Sequence, residues 1–163
     1  MFHIITKRFQ KYVKKKKIKM IINNDFEIAE KFIFDGIHLG QTDRKCKEAK
    51  INFGSEFIVG VSCSNSYNLY IEAKKQKADY VAFGPVFKTL SKNKKTINFN
   101  EAVFILKKLR LPFTLIGGIN HTNFMELCKY GPLNIAMINS IWNYERGPVK
   151  SALFFKKILN NEN

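Results

Sequence analysis

Residues 83–95 read FGPVFKTLSKNKK and place two hydroxyls, Thr89 and Ser91, among four lysines, Lys88, Lys92, Lys94 and Lys95. A hydroxyl donates in an adjustable direction, and a lysine adds a mobile positive point charge. Such groups on one loop suit an anion, phosphate above all. Other apolar runs also end in polar or glycine residues. Asn23, Asn24 and Asp25 follow residues 18–22, and Gly40, Gln41, Thr42 and Asp43 follow residues 36–39. Ser62, Cys63 and Ser64 close the run at 57–62, Gly117 and Gly118 close 113–118, and Asn139 and Ser140 follow 134–138. Adjacent glycines let backbone amides approach a phosphate without a side chain in the way. Asp43 offers the hard oxygen that a divalent cation such as Mg2+ takes. The residues therefore point to an enzyme of small phosphorylated molecules. One phosphate would sit at the last two run ends, a second anion near Lys92, and a metal near Asp43.

Elements must carry these residues to one place. The runs IKMII (18–22), GIHL (36–39), FIVGVS (57–62), DYVAFG (79–84), FTLIGG (113–118) and NIAMI (134–138) are short and rich in β-branched or aromatic types. Continuous apolar runs of this length suit strands buried on both faces of a parallel sheet. Helical stretches lie between them at 26–34, 44–51, 66–76, 100–109 and 122–130, with a first helix near 5–16 and a last one at 149–159. Asn65, Ser66, Asn100 and Asn120 to Thr122 are placed to cap the helices that follow. Residues 2–6, FHIIT, read as the start of the first helix.

Repeated βα units with no hairpin signal give an α/β fold, either a doubly wound sheet or a (β/α)8 TIM-type barrel. In both, chemistry sits at the C-terminal ends of the strands. A barrel takes eight strands, and this chain shows six clear ones behind an opening helix, so it reads as a single barrel domain over 1–163 that lacks its first two strands.

Composition narrows the partners. The chain of 163 residues suits one domain. No apolar run approaches the ~20 residues of a membrane span, and no secretory leader is visible. Cys46, Cys63 and Cys128 are widely spaced and form neither a metal nor a disulfide pattern, which fits a reducing cytoplasm. The formal net charge is +15, yet only Arg8, Arg44, Arg110 and Arg146 are arginines. Arginine is the usual reader of phosphate forks and base edges, so the lysine excess reads as solvated surface rather than a nucleic-acid face. The run Lys14 to Lys17 reads as an exposed helix end.

Taken in series, DGIHLGQTD (35–43), GVSCSNS (60–66), ADYVAFGPVFKTLSK (78–92), IGGIN (116–120) and AMINSIW (136–142) resemble the thiamine-phosphate synthase family of (β/α)8 enzymes, over about residues 18–157. The resemblance implies the joining of hydroxymethylpyrimidine diphosphate to thiazole phosphate with release of pyrophosphate. The pyrimidine would ionise first and the thiazole nitrogen attack the cation, with Mg2+ and cationic donors stabilising the leaving group. Asn23 and Ser62 then match contacts to the pyrimidine diphosphate. Thr89 and Ser91 match contacts to the thiazole substrate, and Lys92 one to the departing pyrophosphate. Gly118, Ile138 and Asn139 match contacts to the thiazole phosphate, and Asp43 matches one magnesium carboxylate.

The chain departs from the family in four places. Its second magnesium carboxylate falls on Asn24, an amide, with Asp25 as a substitute through a local shift. Asn139 stands where a hydroxyl is usual, and Ser64 where histidine is frequent. A Gln-x-Arg-x-Lys motif for pyrophosphate, with two strands, is not found. Open edges in a six-strand barrel imply a start upstream of Met1, a partner such as a second copy in a homo-oligomer, or a decaying gene. Two rival functions follow: a thiazole tautomerase, which needs no magnesium, and an inactive phosphate-binding remnant.

Several residues have plainer readings. His38 is expected as a buried, hydrogen-bonded barrel residue, His121 as a surface residue of a helix-cap region, and Cys63 as packing. Trp142 is expected to pack under the last helix. Asp43 alone would serve equally as a helix cap.

Overall fold

A computed structural model describes residues 2–88, 107–128 and 134–161. Helix α1 (Phe2–Lys15) precedes β1 (Ile21–Asn23), α2 (Phe26–Lys31), β2 (Gly36–Leu39), α3 (Cys46–Phe53), β3 (Ile58–Ser64), α4 (Tyr67–Lys75) and β4 (Tyr80–Phe83). Then come β5 (Phe113–Ile116), α5 (Phe124–Cys128), β6 (Asn134–Ala136), α6 (Asn139–Trp142) and α7 (Pro148–Asn161). The sheet order is β1-β2-β3-β4-β5-β6. A doubly wound sheet reverses its order at a switch point, whereas a barrel-type sheet keeps chain order. The fold is therefore α/β of the TIM-barrel type, with six strands among the described residues.

Contacts divide the chain into two compact units, Met1–Cys63 with Asn68–Val81, and Ser64–Tyr67 with Ala82–Asn163. In the first unit β1 pairs parallel to β2 with Asn23 opposite His38, and β2 pairs parallel to β3 with His38 opposite Gly60. Side chains alternate between the faces of a strand. Ile37, Leu39, Val59, Val61 and Cys63 thus share one face and are buried, together with Ala49, Tyr70 and Ala73 of the helices. His38, Gly60 and Ser62 share the other face.

The N-terminal ends of these strands are pinned by two aspartates that the sequence reading passed over. Asp35 accepts from the Met20 N–H at 2.8 Å and from Lys19 Nζ at 2.9 Å, while the Ile58 N–H donates to the Asp35 carbonyl at 2.9 Å. Asp79 accepts from the Val59 N–H and from Lys50 Nζ, both at 2.6 Å. Each aspartate directly precedes the β2 or β4 segment and ties it to neighbouring backbone.

Helix ends account for the displaced boundaries. The Lys17 N–H donates to the Lys14 carbonyl and the Ile18 N–H to the Val13 carbonyl, with Lys17 at φ 55°. This Schellman cap uses residues 16–18, so β1 begins at Ile21 rather than at 18. Lys77 at φ 64° closes α4 in the same way, with bonds from Lys77 to Lys74 and from Ala78 to Ala73. Helix α2 stops at Lys31 because Phe32 is extended at φ −133°. Lys14 to Lys17 are exposed as expected.

In the second unit β5 and β6 are parallel, with Thr114 opposite Asn134 and Ile116 opposite Ala136. Phe83, Val86, Leu115, Ile119, Phe124, Leu127 and Phe155 are buried there. Asn120 Oδ1 accepts from the Thr122 and Asn123 N–H groups, the capping role expected of it. The helix expected at 100–109 lies almost wholly outside the described residues. One expectation is overturned and one is qualified. Trp142 ends the short helix α6 and is 69% exposed, so it does not pack under α7. His121 is not a free surface residue: it stacks on Tyr144 at 4.3 Å, leans on Phe155, and its Nε2 lies 3.0 Å from the buried Ser151 Oγ. Ser151 itself donates to the Ser140 carbonyl at 2.7 Å.

Candidate functional site

Four of the residues singled out gather at the C-terminal strand ends of the first unit, around His38. Asn23 ends β1 opposite His38. Asn24 turns the chain at φ 65°, a left-handed conformation that asparagine tolerates, and its N–H donates to the His38 carbonyl at 2.9 Å. With its NH2 group turned inward, the Asn24 side chain also donates to Asp43 Oδ2 and to the His38 carbonyl, both at 3.1 Å. Asp43 Oδ2 closes its own turn by accepting from the Gly40 N–H at 2.6 Å. The N-cap of α3 is Lys45, so Asp43 is not the helix cap. Asp25 caps α2, with Oδ1 accepting from the Ile28 N–H at 2.9 Å.

This donor set fits Mg2+ in the way that ion is commonly held, by one or two carboxylates with water and substrate phosphates completing the shell. Asp43 would be its one charged ligand. Rotating the Asn24 amide by half a turn presents its oxygen to the Asp43 and His38 oxygens, a cluster a cation can share. Among the described residues there is no group of three or more His, Cys, Asp and Glu that could hold a metal ion.

Ser62 is the fourth residue. Its Oγ lies 2.9 Å from His38 Nε2, and His38 Nδ1 lies 3.0 Å from Tyr80 Oη. Gln41 Nε2 donates to the Ser62 carbonyl. Gly60 is required beneath the tyrosine: a Cβ there would fall 2.0 Å from Tyr80 Cζ. Cys63, next to Ser62, points to the opposite face. Burial pushes its thiol up to about 12, so it packs and offers no thiolate. Sequence reasoning missed Tyr80. The available signal was its parity in DYVAF, because Tyr80 shares a face with Ala82 rather than with Val81.

The second unit holds the other described site residues. Gly117 and Gly118 adopt φ of 89° and 69°. A Cβ on Gly118 would meet the Lys88 and Phe87 carbonyl oxygens at 2.5 and 2.6 Å, so the close approach this glycine permits is that of the segment after β4. The Phe87 N–H donates to the Gly117 carbonyl at 3.1 Å. Ile138 is 73% exposed at the start of α6, followed by exposed Asn139. Ser140 Oγ donates to the Ile119 carbonyl and ties the ends of β5 and β6 together. Thr89, Ser91 and Lys92 lie outside the described residues. Among the described residues no helix is long and apolar enough to cross a membrane.

A parallel sheet in chain order, with amide, carboxylate and hydroxyl residues at strand ends of the first unit and glycines at a strand end of the second, defines a barrel-type α/β protein. The chain belongs to the thiamine monophosphate synthase family, whose profile matches residues 2–141. It is 36% identical over 154 residues to a thiamine-phosphate synthase of Prochlorococcus marinus subsp. pastoris, covering 94% of this chain and 43% of that protein. It is 35% identical over 147 residues to a thiamine-phosphate synthase of Pelagibacter ubique, covering 88% and 69% of the two chains. Among solved structures, a thiamine phosphate pyrophosphorylase from Pyrococcus furiosus superposes with a TM-score of 0.84 at 27% identity, covering 96% of this chain and 75% of that one. The chain thus spans less than half of the first relative's length and about two thirds of the second's.

Proposed function

We propose that this chain acts as a thiamine-phosphate synthase, joining hydroxymethylpyrimidine diphosphate to thiazole phosphate. A C–O bond to the diphosphate breaks, a C–N bond to the thiazole nitrogen forms, and pyrophosphate leaves. The observation that carries this reading is the gathering of Asn23, Asn24, Asp43 and Ser62 around His38, in a chain of this family. Asn23 and Ser62 would hold the pyrimidine diphosphate by hydrogen bonds. Lys92 would hold the departing pyrophosphate as a cationic donor, which stabilises charge as it develops. Thr89, Ser91, Gly118, Ile138 and Asn139 would bind the thiazole phosphate. Asp43, with the Asn24 carbonyl, would hold Mg2+. That ion would supply positive charge to the diphosphate. The family profile runs over residues 2–141, through residues of both compact units, which supports treating residues 1–163 as one domain.

The test is pyrophosphate release by the purified chain. Release that requires both substrates is the expected result. Release from the pyrimidine alone, or none from a folded protein, would overturn the reading. Asn24 favours a second reading, a thiazole tautomerase, because an amide contributes no charge to a metal. Isomerisation of thiazole phosphate without Mg2+ and without coupling to the pyrimidine would decide for that sibling.

A further inference from the structure

We propose that Tyr80 and His38 are positioning residues that fix the Ser62 hydroxyl as a hydrogen-bond donor toward an anionic ligand. The proposal rests on the reading of Ser62 as a contact to the pyrimidine diphosphate, and it adds how that contact is oriented.

A serine hydroxyl has one hydrogen to donate and two lone pairs to accept with. Which it offers to a ligand depends on what its fixed neighbour demands. Ser62 has a fixed neighbour, the His38 ring, whose nitrogens are engaged at 3.0 Å by Tyr80 Oη and at 2.9 Å by Ser62 Oγ. Neutral imidazole carries one donor and one acceptor nitrogen, and the bond made by one nitrogen sets the role of the other. The polarity of the whole chain is therefore decided at Tyr80.

Two features make Tyr80 the donor. Its ring is held in place: it lies against Gly60, where any Cβ would fall within 2.4 Å of three of its atoms, and it stacks on His38 with ring centroids 5.5 Å apart. Burial also pushes the phenol up to about 12, so it keeps its proton throughout the physiological range. A phenol is a stronger hydrogen-bond acid than a serine hydroxyl. Tyr80 O–H thus donates to Nδ1, Nε2 carries the ring proton, and Nε2–H donates to Ser62 Oγ. Ser62 has then accepted from its neighbour, and its own hydrogen is directed to a ligand. A phosphate oxygen accepts that bond. Gln41, bonded to the Ser62 carbonyl, holds the backbone while the hydroxyl rotor is set.

The first test needs no variant for its outcome and no turnover. The chain is labelled with 15N-histidine and the proton-bearing ring nitrogen of His38 is read by long-range 1H–15N correlation at about pH 8, where an ordinary imidazole is neutral. The His38 signals are assigned by their loss in His38→Gln. A single ring proton on Nε2 is expected. A proton on Nδ1, alone or together with Nε2, would overturn the proposal. The second test is a double-mutant cycle read by calorimetric titration with inorganic pyrophosphate. Tyr80→Phe should weaken binding about five- to tenfold in the native background and leave it unchanged beside Ser62→Ala. An equal loss in both backgrounds would mean that Tyr80 acts on the fold and not through Ser62. Should the native chain fail to bind pyrophosphate, the ligand reading of Ser62 falls, while the histidine spectrum still decides the polarity of the relay.

Discussion

At the scale of single residues, Asn24 stands out because it is chemically the weakest member of its cluster. It supplies an amide beside the one carboxylate of the cluster, Asp43, and with its NH2 turned inward it satisfies that carboxylate without any cation. Asn24→Asp would replace this bond with like-charge repulsion that a cation relieves. The variant should need about tenfold less Mg2+ for half-maximal activity, and Mg2+ should raise its melting temperature more than that of the native chain. An unchanged Mg2+ titration would show that Asn24 does not limit metal binding. Lys92→Ala should lower kcat by roughly 100-fold with a small change in KM, because the charge it meets develops as pyrophosphate leaves. Steady-state kinetics would check it, and a rise in KM alone would assign Lys92 to ground-state binding. Asn23, Asn24, Asp43 and Ser62 were legible in the sequence because polar types closing apolar runs can be read directly. The Tyr80–His38 link was not legible, since strand register brings together residues 42 apart in sequence.

At the scale of elements, periodicity located the strands and most of the helices, and cap chemistry moved their ends. GIHL was read with its observed limits, whereas β1 lost its first three expected residues to the cap of α1. Both α1 and α4 end in Schellman motifs with lysine in the left-handed position, where a Cβ costs roughly 1 kcal/mol relative to glycine. Lys17→Gly and Lys77→Gly should therefore each stabilise the fold by up to about 1 kcal/mol in urea unfolding. Loss of stability would mean that the lysine stems contribute packing there. Asp35 carries a pH dependence. The Met20 N–H, and then Lys19, hold its carboxyl below its ordinary 3.8. A lowered value gives stabilisation that is present above the ordinary pKa and is lost as pH falls through the lowered one. Asp35→Asn should cost on the order of 1 kcal/mol near neutrality, after allowing for solvent screening. Thermal melts across pH should show the gap between variant and native chain closing in acid. A gap that persists below pH ~2 would mean that the carboxylate charge is not what matters.

At the scale of the whole molecule, the α/β class could be read from the strand-like runs and the helical stretches between them. The choice of barrel over doubly wound order came from the motif series and its resemblance to (β/α)8 enzymes, because local periodicity says nothing about which strands are neighbours. Strand order without a reversal decides it. The net charge of +15 was read as solvated lysine, and the exposed Lys14 to Lys17 agree with that reading. Thr89, Ser91 and Lys92 are three of the proposed ligand contacts and lie outside the described residues.

The most direct test of the central claim is thiamine phosphate formation, followed as fluorescent thiochrome after oxidation, with both substrates, with and without Mg2+. The account predicts product from the native chain that requires both substrates and Mg2+, and a fall of at least about 100-fold in Ser62→Ala. A folded native chain that makes no thiamine phosphate, or makes it equally well without Mg2+ or without the Ser62 hydroxyl, would contradict it.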